Sequence, residues 1–149
     1  MRRFILLLIL LLPNMVIATQ PEFDALSRRY TNIEGITVTN IDNNMLTLMA
    51  SSYTDASTLE FIDNILVLIS QDKEHGNDII KRSSKIIKKL KLEPYLSVND
   101  DSTMINIYCV KDGEIVTDLV VQLQDGENGG VVVISGNIPD DMINRIVQM

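Results

Sequence analysis

MINIYCVKDGEIVTDLVVQLQDGENGGVVVISGNI, residues 104–138, decides the fold. It holds three β-rich runs, Met104–Val110, Ile115–Leu123 and Val131–Ser135, separated by glycine turns at Asp112-Gly113 and Asp125–Gly130. The middle run alternates with period two, which puts Ile115, Thr117, Leu119, Val121 and Leu123 on one face of a strand. Glycine takes positive φ at little steric cost, so Asp-Gly between two such runs signals a hairpin. The stretch predicts an antiparallel meander.

Outward from it, Tyr95–Val98 adds a short fourth strand, entered through the turn Asn99–Ser102. Downstream, Pro139–Val147 reads as a last helix: Pro139 suits a first turn, Asp140 and Asp141 suit its positive end, and Met142, Ile143, Ile146 and Val147 form a core face. Upstream, Glu74–Leu92 is the clearest helix. At about 100° per residue, Ile79, Ile80, Ile86, Ile87 and Leu90 fall within a third of the wheel, with Ser83 among them. Pro94 is expected to end it, since the residue before a proline disfavours helix. Asn64–Ser70 reads as a central strand buried on both faces, and Asp55–Leu59 before it as a polar connection. Asp42 is placed to cap a helix over Asn43–Ser52, where Met45, Leu46, Leu48 and Met49 form an expected buried stripe. Gly35–Ile41 predicts a strand, and Pro21–Thr31 a helix with Phe23, Leu26 and Tyr30 on one side. Four successive strands late in the chain favour an α+β, two-layer domain: a mostly antiparallel sheet with a C-terminal four-strand meander and helices packed on one face.

The first residues carry a different message. Arg2-Arg3, the apolar run Phe4–Leu12, the break at Pro13-Asn14 and the small or modest residues Val16-Ile17-Ala18 make a secretory signal peptide over residues 1–18. The run is far short of the roughly 20 residues that span a bilayer. A single α+β domain, residues 19–149, would remain, with no transmembrane segment. Losing Arg2 and Arg3 makes that domain more acidic than the whole chain, whose net charge is −7, which argues against nucleic acid as a partner. Cys109 is the single cysteine, so there is no internal disulfide and no N-terminal cysteine for a lipid anchor. The expected destination is export, to the periplasm or the medium.

Little in the remaining sequence carries chemistry. His75, the single histidine, lies in the polar stretch Lys73–Gly76 and reads as surface; Cys109, inside a strand, reads as a small buried hydrophobe. Neither comes with the base or nucleophile that covalent catalysis needs. Asp100-Asp101, Asp125 with Glu127, and Asp140-Asp141 fall in turns and at a helix start, where acids belong for local reasons, and no set has the alternating oxygen ligands of a calcium loop. Gly129-Gly130 has no following lysine and precedes a strand, so it is not a phosphate loop. No catalytic residue, metal ligand or cofactor site is read. One feature stands out. Lys81, Arg82, Lys85, Lys88, Lys89 and Lys91 crowd six of the chain's 13 basic residues onto one helix, a solvated face or a docking face for an anionic partner.

Laid out in this order, the chain resembles the domain of unknown function 4252 family, uncharacterised secreted and envelope proteins of Bacteroidetes. The resemblance rests on Phe23–Tyr30 with Glu34–Val38, on Met45–Met49, and above all on the tail: Val110–Gly113, the Leu119–Leu123 strand, Val131–Ile134 and Ser135–Ile138. It extends over nearly all of residues 21–149. It implies a small exported α+β domain with no assigned activity to carry over, and hints at company with envelope-stress signalling. Relatives often carry a lipid anchor on a cysteine, which is missing here. The expectation is therefore a non-enzymatic binding or regulatory domain at the bacterial envelope, acting by contact with another envelope or secreted protein. The alternatives are an anionic lipid or polymer binder using the basic helix, and an uncharacterised enzyme.

Overall fold

Both Asp-Gly turns close two-residue hairpins. Gly113 and Gly126 sit at φ 65° and 62°, at the first central position, where a tight hairpin takes glycine. The strands they join are β4 (Thr103–Asp112), β5 (Ile115–Asp125) and β6 (Asn128–Pro139), preceded by β3 (Glu93–Asn99). The structure, a computed structural model, describes residues 19–50 and 60–143. In that span the meander is preceded by α1 (Thr19–Arg28), β1 (Ile36–Asp42), α2 (Asn43–Ala50), β2 (Ile62–Ser70) and α3 (Lys73–Lys89). The fold is α+β, with six antiparallel strands in the order β1-β2-β6-β5-β4-β3. No helix among the described residues is long and apolar enough to cross a membrane.

α3 crosses from β2 to β3 and lies on one face of the sheet with α1. Its start is fixed by Asp72, whose carboxylate accepts from the Glu74 and His75 amides, and by Ser70 Oγ, which accepts from the Asp72 amide at 3.0 Å. Gly76 then lets the first turn approach β6: a Cβ at Gly76 would meet the Gly129 backbone at 3.2 Å. Further along, Gln122 of β5 donates from Nε2 to Ser83 Oγ at 2.7 Å, to Ser84 Oγ at 2.9 Å and to the Ile80 carbonyl at 3.2 Å. Ile79 and Ile87 pack beside these groups against Leu66, Leu68, Val120, Val131 and Val133, with Phe23 and Leu26 supplied by α1 and Tyr30 by the turn after it. Burying each of these large side chains is worth roughly 1.5–3 kcal/mol.

The opposite pleat makes a second cluster from Ile62, Ile107, Cys109, Leu119, Ile134 and Ile138, closed by Leu46 of α2 and by Ile143. Asp42 caps α2 as expected, accepting from the Met45 amide at 2.9 Å. The stripe expected on α2 is not buried, however. Leu46 alone of these is enclosed, while Met45 is 49%, Leu48 75% and Met49 40% exposed, because α2 touches the sheet only lightly, near its β1 edge.

Four further expectations are corrected. Gly129 and Gly130 belong to β6, not to a turn, because the hairpin needs only Gly126 and Glu127. β6 runs on to Pro139, so the expected last helix does not start there; Asp140–Met142 is a 3-10 turn that passes into helical Ile143. Thr117 does not share a face with Leu119. A bulge skips it in both neighbouring registers, so Val116 turns into the second cluster and Asp118 to the helix side. Pro94 does not end α3 either; it lies within β3. The helix stops at Leu90, where the Lys91 amide returns to the Lys88 carbonyl and the Leu92 amide to that of Ile87, a Schellman motif with Lys91 at φ 55° in the glycine position. Lys91→Gly is therefore expected to raise stability by about 0.5–1 kcal/mol in urea titrations, since a side chain in this conformation is strained. The proposed signal peptide 1–18, the whole Asp55–Leu59 connection and the C-terminal residues from 144 onward lie outside the described residues.

Candidate functional site

The six basic residues do not form one surface. Lys81, Lys85 and Lys88 are exposed on the outer side of α3, and Lys91 is exposed in the turn beyond it. Arg82 and Lys89 face α1 and are engaged. Lys89 Nζ lies 2.7 Å from Glu22 Oε1, and Arg82 Nε donates to Asp78 Oδ2 at 3.0 Å. Tyr30 donates its hydroxyl to the same Asp78 oxygen. That hydrogen bond, more than the Arg82 charge, holds the Asp78 carboxyl below the usual carboxylate range. Burial first, and then Asp78, push the Tyr30 phenol up to about 12.

Between the two helices runs a groove of about 230 Å³ with Ala25, Leu26 and Ile86 along it and Arg29, Arg82 and Lys85 at its polar margin. Among the described residues Glu22 is its single acidic lining residue, and it is paired with Lys89. The arrangement can receive a small anionic group on an apolar floor, though every basic group there keeps access to water, which weakens its pull.

His75 and Cys109 stand apart. His75 Nδ1 is 2.5 Å from Asp72 Oδ2 at the start of α3, and Ser70 nearby is fully buried with its hydroxyl bonded to the Asp72 backbone. Serine, aspartate and histidine here form a helix cap, because the serine hydroxyl is turned to the peptide and not to the imidazole. Cys109 belongs to the second cluster, on the opposite face, where burial pushes its thiol above the ordinary value. The two residues cannot act as one nucleophile–base pair. The carboxylates also remain local: Asp140 meets Lys111 at 3.5 Å, and Asp125 accepts from Thr103 at 3.3 Å. Among the described residues no group of three or more His, Cys, Asp or Glu is placed to hold a metal ion.

One buried acid escaped the reading of the sequence. Asp118 accepts from Ser135 Oγ at 3.0 Å and from Thr117 Oγ1 at 3.2 Å, yet burial outweighs these bonds and raises its carboxyl above the ordinary value. A raised folded-state value means that the ionised form is held at a cost near neutral pH, and the cost is relieved as pH falls through that value. Asp118→Asn is expected to stabilise by about 1–2 kcal/mol at pH 7, with the difference in Tm from the parent shrinking toward pH 4. A variant less stable than the parent at pH 7 would refute this.

The larger omission is the part of the second face that no described helix covers. Antiparallel partners point to the same side, so Thr39, Val67, Val132, Val121, Ile107 and Leu96 form one row across all six strands. Thr37, Ile69, Gly130, Leu123, Ile105 and Val98 form the next. Neither row contains a charge. The rows are covered at their centre and open at both ends, at exposed Thr37 and Thr39 on β1 and at Leu96, 41% exposed, and Val98, 42%, on β3. The signal was present in the sequence: β2, β4 and β5 are apolar on both pleats, while α1 and α3 lie on one face and, among the described residues, Leu46 of α2 and Ile143 cover only part of the other.

A family model matches residues 30–146, most of the chain, including every strand of the sheet. The chain belongs to the domain of unknown function 4252 family. The match begins at Tyr30, so α1, which supplies Phe23 and Leu26 to the first cluster, precedes the part that defines the DUF4252 family. Among curated proteins and solved structures, no match to the chain is found.

Proposed function

We propose that this DUF4252 domain is an exported, non-enzymatic binding or regulatory module that works by protein–protein contact at the bacterial envelope. The observation that supports it best is the pair of charge-free rows on the second face, which run to exposed Leu96 and Val98 at the β3 side. A contiguous apolar surface on so acidic a chain fits a partner better than it fits water. Leu96→Lys with Val98→Lys places two charges there at exposed positions and leaves the buried core untouched. Capture of a partner from the host envelope by cross-linking should weaken at least about tenfold, the loss of roughly 1.4 kcal/mol. Lys81→Gln, Lys85→Gln and Lys88→Gln together should leave it unchanged.

The groove between α1 and α3 favours a second reading, an anionic lipid or polymer bound through Arg29, Arg82 and Lys85 with the outer lysines of α3. Its mark is binding to anionic vesicles that falls steeply with salt and disappears in the triple Gln variant. Loss of partner capture in that variant, with the Leu96/Val98 variant unaffected, would transfer the function to the helix.

A further inference from the structure

The two edges of the sheet are built differently. β3 is blunted in the ways that keep an edge from pairing: Glu93 and Pro94 open it, and its register with β4 is broken between Pro94 and Leu96. β1 has none of these devices. Its sequence, ITVTNID, holds no proline or lysine and no charge before Asp42, and its register with β2 is unbroken from Ile36 to Asp42. Among the described residues β1 has a strand on one side only.

The register states which of its groups look outward. The Gln71 amide donates to the Gly35 carbonyl at 2.9 Å, so Gly35 and Gln71 are a hydrogen-bonded pair. Such pairs recur at every second residue, which turns the backbone of Thr37, Thr39 and Ile41 to β2 and that of Val38 and Asn40 away from it. We propose that the β1 edge is a homodimer interface, at which two copies of this chain join β1 to β1 antiparallel about a two-fold axis at Thr39.

The strand suits itself. About Thr39 the outward amide and carbonyl of Val38 meet those of Asn40 of the partner subunit, and Thr37 stands opposite Ile41 of the partner subunit. Two acidic copies repel over most of their surfaces, but the stretch from Ile36 to Ile41 carries no charge. Asp42 lies opposite Ile36 of the partner subunit, at the far end from the other Asp42, roughly 20 Å away at about 3.4 Å per residue and well beyond a Debye length. Antiparallel pairing is also the sense of every ladder in this sheet. Finally, joining two β1 edges leaves only the two blunted β3 edges exposed, so assembly closes at two copies rather than growing into a fibre.

Thr39 is exposed, and in this arrangement it faces its own copy, so a charge there meets the same charge. Protein expressed from the full sequence is examined by sedimentation equilibrium as parent, Thr39→Lys, Thr39→Glu and an equimolar mixture of the two variants. The expected result is a dimeric parent, at least about tenfold weaker self-association for each variant alone, and recovery of the dimer in the mixture. Amide exchange at Val38 and Asn40 should be slow in the parent and in the mixture and fast in each variant alone. A parent that stays monomeric at all concentrations overturns the proposal, as does a dimer indifferent to charge at Thr39. A monomer that takes up an unrelated extended peptide along β1 also overturns it and assigns the edge to a partner's strand.

Discussion

Gly130→Ala is expected to cost about 4 kcal/mol or more, a large share of the 5–15 kcal/mol by which a domain of this size is stable. A Cβ at Gly130 would lie 2.1 Å from the Leu68 carbonyl oxygen and 2.7 Å from Ile69 Cα. Both are backbone atoms of β2, so no flexible side chain can move aside. Relief requires β6 to leave β2, and among the described residues this is the one strand-to-strand seam between the meander and the β1–β2 pair. The pairs Ile69↔Gly130 and Leu68↔Val131 would open first, exposing Leu68 and Val131, both buried in the first cluster. Thermal melting should show Tm falling by roughly 10–20 °C. Gly76→Ala is the control: its Cβ would meet Gly129 at 3.2 Å, a few tenths of an ångström too close, and alanine gains about 1 kcal/mol of helix propensity. A change of less than roughly 3 °C for Gly130→Ala would mean that β2 and β6 are not spaced as described.

The meander was legible because each of its signals is local. Alternation over Leu119–Leu123 and an Asp-Gly at each turn specify strands and hairpins with no knowledge of the rest of the chain. The core stripe of α3 was legible for the same reason. What local pattern could not supply was the order of strands, since β6 reaches β2 across α3 and three intervening strands. Nor could it place the bulge at Thr117, which depends on how β5 sits between β4 and β6. The α2 stripe failed at a similar point. Met45, Leu48 and Met49 have helical spacing, but spacing says only which residues share a side and not whether a neighbour reaches it.

The candidate surfaces divide along the same line. The basic crowding on α3 was visible in the sequence, but its split into exposed lysines and the paired Arg82 and Lys89 depends on α1 lying alongside. The uncharged rows across the sheet become one surface only when six strands are in register, and the contrast between the β1 and β3 edges exists only once the strand order is known.

Phe23→Ala should be nearly as damaging as Gly130→Ala, at about 3–5 kcal/mol. Phe23 is 1% exposed and is the largest fully buried side chain among the described residues, although it precedes the family match. With Leu26 it forms the inner side of α1, continued by Tyr30 in the turn beyond, and this segment is otherwise held to α3 by the Lys89–Glu22 pair and by the Tyr30–Asp78 hydrogen bond. Without the ring, a cavity opens under α1, and two partly exposed polar links cannot replace a core contact. Tyr30→Phe separates packing from hydrogen bonding. It keeps the ring and should cost about 1–2 kcal/mol at neutral pH, leaving Asp78 with Arg82 alone. The pH dependence identifies the bond. Tyr30 titrates near 12 when folded against an ordinary 10, so the folded state holds the proton more tightly. Its contribution is complete below about pH 10 and is lost as pH rises from there toward 12. Unfolding free energy measured from pH 8 to 11 should therefore fall more steeply in the parent than in Tyr30→Phe, and the two curves should converge at the alkaline end. Parallel curves would mean that the phenol is as free in the folded chain as in the unfolded one, and that α1 is held by Phe23 and Leu26 without help from Asp78.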